Sequence, residues 1–414
     1  MLKQNKFISI ISIVGTALAI MMIMTIIVSH EIRNISIAPE SNRDRTLYIV
    51  YDHRRLPDGG HMNGTLRVDV IERYLIHLQT PQYLSPVSEN HRMTVNVEGS
   101  TDFLQFSSRY VGAGYWNIFA FDFIEGEPFS EIEVQSGIRT AVISETVAQA
   151  LFGGERAVGR TIQLDFENFR VSGVVRDIPP VFGWVRSDIW IPFTILAENL
   201  GVFDRFGSML LLAENRSDFP DIIAEVRDVQ RRLSLSDRTS GLDEWVSFLD
   251  IRDHRTNSMG VSWSRSEEEF RRAVRVAHTR RIVTFAFLLL IPALNLSGFS
   301  LSRIKKRTAE IGVRKAFGAK KHTILIQVLY ENLITSLIGG FIGLILSYIV
   351  IFQLRGWLLG VPDDSIIPIN TLFAPMVFIS VFIVCVLLNL LSAGLSAWQA
   401  SRMSIVNSLK KNDN

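Results

Sequence analysis

Residues 324–352 read ILIQVLYENLITSLIGGFIGLILSYIVIF, with one acid and no base in the whole run. As an α-helix it would rise about 43 Å, more than the roughly 30 Å of a bilayer's hydrocarbon core. Three other stretches behave alike. Phe7–Ser29 carries no charge over 23 residues, Ile282–Leu301 is interrupted only by Pro292, Asn295 and small polar residues, and Leu372–Ala397 is the fourth. Buried core helices are rarely so long and so free of charge, so all four are expected to span a membrane. The first run is longer than a signal peptide's apolar core of about 7–15 residues, and no A-x-A site follows it. A retained helix is expected there.

The remaining composition is not that of a pure helical bundle. The chain has 414 residues, 48% hydrophobic and 20% charged, with a mean hydropathy of +0.23. That balance excludes disorder and suits spanning helices joined to a sizeable water-exposed domain. A single cysteine, Cys385, excludes an internal disulfide framework and a multi-cysteine zinc site.

Charge sets the orientation. Residues 7–280 hold 28 Arg, no Lys and 36 Asp plus Glu, a net of −8, whereas the remainder carries +10. The loop 302–323 concentrates Arg303, Lys305, Lys306, Arg307, Arg314, Lys315, Lys320 and Lys321. The positive-inside rule places it in the cytoplasm, together with Lys3 and Lys6 at one end and Arg402, Lys410 and Lys411 at the other. The expected order is a cytoplasmic N-terminus and first helix (1–29), an outer domain (30–280), a second helix (281–301), the basic loop (302–323), a third helix (324–352), a short outer loop (353–371), a fourth helix (372–397) and a cytoplasmic tail (398–414). Both termini lie inside. One feature opposes the rule: Arg271, Arg272, Arg275, Arg280 and Arg281 gather on the outer side, just before the second helix.

The outer domain reads as α+β. Strand-like runs are Leu47–Tyr51, Met93–Val97, Thr140–Ser144, Thr161–Asp165, Phe169–Val175, Asp188–Pro192, Met209–Ala213 and Val246–Asp250. Glu167–Asn168 is expected to turn a hairpin. Val68, Ile71, Leu75 and Leu78 mark one amphipathic helix; Phe219, Ile222, Ile223, Val226, Val229 and Leu233 mark another. Both stripes are expected to face the core. Glu267–Glu269 followed by Arg271, Arg272 and Arg275 suits i,i+4 pairing on an exposed helix.

Catalytic motifs are scarce. Gly154–Thr161 (GERAVGRT) approaches the phosphate-loop pattern, with Arg160 where lysine belongs. A phosphate loop needs a strand before it and a helix after it. Here a helical Glu145–Phe152 precedes and a strand-like Thr161–Phe166 follows, so a connecting turn is expected and no nucleotide. His53, His61, His77 and His91 are scattered, and no metal spacing is present. No catalytic residue, cofactor, metal or nucleic-acid partner is expected, and the chain is read as a non-enzyme.

Two segments carry function-like patterns. In the basic loop, Ile311, Val313 and Phe317 exceed what a charge-only topology marker needs, and Gly318 reads as a helix stop. A short amphipathic element docking on a cytoplasmic partner is expected. In the third apolar run, Ser336, Gly339, Gly340, Gly343 and Ser347 form a small-residue surface suited to close helix approach. Glu331 and Asn295 are polar groups within apolar runs. A carboxylate at Glu331 should face protein or water and pair with a cation.

The stretch 307–347, RTAEIGVRKAFGAKKHTILIQVLYENLITSLIGGFIGLILS, resembles the signature of the FtsX/MacB-type permeases of ABC transporters, and 394–410, GLSAWQASRMSIVNSLK, resembles their C-terminal end. Residues 110–131, 139–162 and 169–179 (FRVSGVVRDIP) resemble the periplasmic core domain of the same proteins. Residues 200–270 match only loosely. The resemblance implies a bacterial inner-membrane, multi-pass permease, dimeric with itself or with a related permease, served by a separate cytoplasmic ABC ATPase. It implies that Glu310, Ile311, Gly312, Arg314, Lys315 and Gly318 belong to the element that meets the ATPase, with Phe317 beside them. ATP-driven closure would pass through the helices to the outer domain, a process called mechanotransmission, to export or extract a substrate. A second reading is a regulatory scaffold that relays ATPase cycles to a periplasmic partner such as a cell-wall hydrolase.

Overall fold

Thr140–Ser144 is TAVIS, three apolar residues between Thr and Ser with no charge, and every residue of it is buried. Such a strand belongs at a sheet centre with both faces covered. It does: it lies between two other strands, parallel to one and antiparallel to the other. The computed structural model around it describes residues 6–31, 36, 38–55, 61–97, 102–179, 182–199, 204–239, 246–261, 266–306, 317, 321–354 and, in the last apolar run, 379, 382, 383, 386, 387, 390, 391 and 394. The chain forms two compact units, Asn34–His278 and the combination of Met1–Arg33 with Thr279–Asn414.

The described strands of the first unit are β1 (Thr46–Arg55), β2 (His61–Gly64), β3 (Leu66–Arg67), β4 (Tyr83–Ser88), β5 (His91–Asn96), β6 (Leu104–Val111), β7 (Phe123–Gly126), β8 (Thr140–Ser144), β9 (Thr161–Leu164), β10 (Glu167–Val175), β11 (Ile189–Pro192), β12 (Arg205–Leu212) and β13 (Val246–Asp253). The described helices of the chain are α1 (Lys6–Glu31), α2 (Val68–Arg73), α3 (Tyr115–Ile118), α4 (Glu131–Gln135), α5 (Glu145–Phe152), α6 (Phe193–Asn199), α7 (Phe219–Thr239), α8 (His254–Asn257), α9 (Glu267–Lys306) and α10 (Lys321–Gln353).

Strand pairing closes on itself in one half of this unit. β11 pairs with β8, β8 with β10, β10 with β9, β9 with β5, β5 with β6, and β6 returns to β11. Closure removes exposed strand edges, which otherwise invite pairing with other chains. From β6 the ladder continues antiparallel through β4, β12, β1 and β13. Trp190, Phe169 and Ile143 from the ring strands, and Tyr48, Leu210 and Leu211 from the extension, belong to one continuous core. α7 buries Ile222, Val226, Val229 and Leu233. Each such side chain contributes roughly 1.5–3 kcal/mol.

Local sequence rules account for most boundaries. Ser130 and Glu133 form a reciprocal capping box at the start of α4, and Ser144 caps α5. At Gly126 φ is +65°, and a methyl group there would lie 2.2 Å from the Ser172 carbonyl oxygen, so only glycine fits.

Two expectations are corrected. The β9–β10 hairpin turns at Asp165–Phe166, both with positive φ, while Glu167 already pairs with Leu164. The Asp165 carboxylate accepts from the Thr94 amide at 2.8 Å and its own amide donates to the Thr94 carbonyl, so the neighbouring strand places the turn. The helix expected from Val68 to Leu78 stops at Arg73 and resumes as a single 3₁₀ turn, Leu75–His77, although Val68, Ile71, Leu75 and Leu78 are all buried.

In the second unit α1, α9 and α10 are 26, 40 and 33 residues long, α9 beginning in the first unit. Among the described residues no helix is long and apolar enough to cross a membrane. The apolar runs of the sequence extend through positions whose side chains lie outside the described set.

Candidate functional site

The small-residue stripe of α10 lies against α1. Gly339, Gly340, Gly343 and Ser347 are buried. A methyl group on Gly343 would sit 2.6 Å from the Ala17 carbonyl oxygen, and one on Gly339 3.0 Å from Thr16 Cβ. Backbone thus meets backbone across the pair, with Thr16, Ala17, Ile20, Ile23 and Met24 of α1 buried. Gly340 faces both Ile20 and Phe382. Sequence reasoning missed the α1 half of this contact; the small residues Thr16, Ala17 and Ala19, gathered within four consecutive positions, were its trace in the sequence.

The remaining candidates divide by placement. The Ser336 and Glu331 backbones belong to α10 and that of Asn295 to α9, but their side chains lie outside the described residues. Glu310, Ile311, Gly312, Arg314, Lys315 and Gly318 also lie outside them. Phe317 is described and is 88% exposed in a turn.

The loop resembling a phosphate site follows α5 and leads into β9. Four of its amides are already committed. Glu155 donates to the Phe152 carbonyl, Gly159 to Val171, Arg160 to Ala157, and Ala157 to the Glu125 carboxylate. Arg160 pairs with Glu155 at 2.9 Å and its guanidinium lies over the Phe152 ring. The loop lacks the strand-before, helix-after frame that aims amides at a phosphate.

Buried charges in the first unit were not anticipated. Asp52 lies 3.5 Å from Arg67, which also bonds Asp69 at 2.9 Å. Asp250 and Arg252 pair at 2.5 Å, and Arg252 also donates to the Val261 carbonyl. Arg109 donates to the Trp184 and Gly183 carbonyls and to Asn90. Charges so placed need full pairing to be tolerated. Their trace was acids and arginines at inward strand positions. Burial pushes the Tyr48 phenol well above its ordinary value, with Glu40 adding to the effect, and the Tyr115 phenol rises for the same first reason. Both serve as neutral hydrogen-bonding groups: Tyr48 meets His254 Nδ1 at 3.1 Å, and Tyr115 donates to the Trp184 carbonyl. Among the described residues no His, Cys, Asp or Glu cluster could hold a metal.

Residues 9–229 match the MacB-like periplasmic core domain, and residues 282–405 match the FtsX-like permease C-terminal region. The chain belongs to the FtsX/MacB-type family of ABC transporter permeases. It is a membrane permease with a large periplasmic domain. Among its relatives, the uncharacterized ABC transporter permease YknZ of Bacillus subtilis is 23% identical over 60% of this chain and 58% of its own length. A macrolide export ATP-binding/permease protein MacB of Bdellovibrio bacteriovorus is 28% identical over 59% of this chain and 36% of its own. That of Pasteurella multocida is 25% identical over 78% of this chain and 44% of its own. The chain thus spans 36–58% of the length of these relatives. The periplasmic region of MacB from Actinobacillus actinomycetemcomitans is similar at a TM-score of 0.38 and 16% identity, over 57% of this chain and 99% of that structure.

Proposed function

We propose that this chain is the permease subunit of an ABC transporter, coupling ATP hydrolysis on a cytoplasmic ATPase subunit to movement of its periplasmic domain. The observation that carries the reading is the order of its two family matches. A periplasmic core over 9–229 and a permease region over 282–405 bracket the membrane entry, and the second contains the basic loop. Four helices, at 7–29, 281–301, 324–352 and 372–397, cross the inner membrane with both termini in the cytoplasm, which the distribution of lysine and arginine supports.

In this reading Glu310, Ile311, Gly312, Arg314, Lys315, Phe317 and Gly318 dock on the ATPase. A side chain as exposed as Phe317 suits a surface waiting for a partner. The stripe Ser336, Gly339, Gly340, Gly343 and Ser347 holds the third helix against the first, so displacement of one helix carries the other. Glu331 pairs with a cation near the inner surface. The subunit works as a dimer, with itself or with a related permease. ATP can bias its conformations only through the ATPase's differing affinity for them.

The test is retention of the partner ATPase by affinity-tagged permease. Burying one aliphatic side chain at an interface is worth about 1.5–3 kcal/mol, and an exposed ion pair about 0–1 kcal/mol. Ile311→Asp should therefore abolish retention and permease-stimulated ATPase activity, while Lys320→Gln with Lys321→Gln should do much less. Cysteine labelling in a background lacking Cys385 verifies insertion. Equal retention by Ile311→Asp and the unaltered chain would return the loop to a topology marker.

A further inference from the structure

The five arginines before the second apolar run stand on the side that the positive-inside rule leaves poor in bases. Two of them, Arg271 and Arg275, stand one helical turn apart at the rim of a cavity of about 480 Å³ whose walls are Ile251, Thr256, Phe270 and Val274. The cavity belongs wholly to the first unit, between β13, α8 and the start of α9. Like charges at i and i+4 repel. Arg271 is relieved by Glu267 at 2.6 Å, which Arg227 also bonds. Beneath Phe270 lies Arg252, neutralised by Asp250. Among the described residues Arg275 is exposed and has no carboxylate partner. The cavity therefore presents an apolar wall with one uncompensated cation at its edge.

We propose that this cavity binds a phosphate-bearing lipid, with Arg275 on the phosphate and Ile251, Phe270 and Val274 against the first carbons of the acyl chains. Three observations favour this occupant. The volume falls within the roughly 300–1,000 Å³ of small-ligand pockets. The wall is apolar where a bare anion would want donors. Arg275 precedes the apolar run at Ile282 by seven residues, about 10 Å along a helix, which in the proposed topology sets it near the headgroups. The lipid assignment rests on residues 30–280 lying outside the membrane. Arginine suits the role because its fork can bond two phosphate oxygens at once.

The experiment titrates the full chain in a neutral detergent with three probes: dihexanoylphosphatidylglycerol, dihexanoylglycerol and inorganic phosphate, followed by calorimetry. The phosphatidylglycerol should bind at least tenfold more tightly than either of the others. Arg275→Gln should weaken it about tenfold, the worth of a charge-assisted hydrogen bond. Arg275→Lys should retain part of that affinity. Arg272→Gln, on the same helix but not on the cavity, should leave it unchanged, and none of the three substitutions should alter the melting temperature without ligand. Equal binding of inorganic phosphate would identify a simple anion site and overturn the lipid assignment. Equal weakening by Arg272→Gln and Arg275→Gln would overturn the cavity itself. No ATPase takes part, so this result stands or falls apart from the pull-down with Ile311→Asp.

Discussion

In residues 34–278 the core is built of large apolar side chains, Trp190, Phe169 and Leu210 among them, and those left outside, such as Ile132 and Phe166, are scattered. In α1 and α10 small residues share the interior with Ile20, Ile23 and Met24, and many large apolar groups face out. Ala17, Gly343 and Ser347 are buried, while Ile10, Phe341 and Ile345 are exposed, Phe341 by 63%. One chain thus follows two packing rules. Where water surrounds the protein, large apolar groups gain most by burial. Where hydrocarbon surrounds it, they gain nothing by meeting each other, and close backbone approach through small residues holds helices together. The second rule is the one that the proposed placement of α1 and α10 in a bilayer calls for.

The comparison breaks first, and most strongly, in the sheet. Trp190→Ala removes a fully buried side chain from the core and should cost about 3–5 kcal/mol, seen as loss of the cooperative melting transition of the full chain in detergent. A loss under about 1 kcal/mol would mean that the first unit is not packed like a water-soluble core.

Enlarging a small residue should matter where shrinking a large one matters in the sheet. Gly343→Val should drive α1 and α10 apart, at a cost of about 1–3 kcal/mol for overpacking. Disulfide cross-linking of Thr16→Cys with Gly339→Cys, in a background lacking Cys385, should fall severalfold when Gly343→Val is added. Phe341→Ala, on the exposed face, should leave it unaltered. Cross-linking that survives Gly343→Val would remove the stripe from the account of helix contact.

A smaller effect tests electrostatics at the edge of the first unit. Burial pushes Glu225 up from 4.5, but bonds from the Gln79 amide and from the Thr80 amide and hydroxyl outweigh it and hold the carboxyl below that value. A depressed folded pKa gives stability that is present above the unfolded pKa and lost as pH falls through the folded one. Glu225→Gln should therefore lower the melting temperature slightly at pH 7, by less than about 1 kcal/mol because the half-buried group is still screened by solvent. The difference from the unaltered chain should shrink below pH 4.5. A gap that stays constant into acid would assign the loss to packing.

The smallest effect expected is none. Arg160→Lys completes the phosphate-loop spelling of Gly154–Thr161. It should create no ATP binding by equilibrium dialysis, because the amides of Glu155, Ala157, Gly159 and Arg160 are spent within the fold. Micromolar binding would show that the loop can release them.

What the sequence determined by itself rests on interactions within a few residues. Thr140–Ser144 was legible as a strand, and the stripe from Phe219 to Leu233 as an amphipathic helix because its helical period runs unbroken, whereas the shorter stripe from Val68 to Leu78 breaks after Arg73. The relation to FtsX/MacB-type permeases was equally legible from the loop after Arg307. Only the tertiary structure decided what depends on distant partners. Thr94, not the local spelling, put the β9–β10 turn at Asp165–Phe166. β4 and β6 escaped notice because Tyr83–Ser88 and Leu104–Val111 carry serines and a proline, and their pairing with β12 and β5 outweighs those weak propensities. The closing of β6 onto β11 joins residues eighty positions apart, and the meeting of Gly343 with Ala17 joins residues more than three hundred apart. No local pattern specifies such pairs, because each half satisfies its own helix or strand equally well before the other arrives.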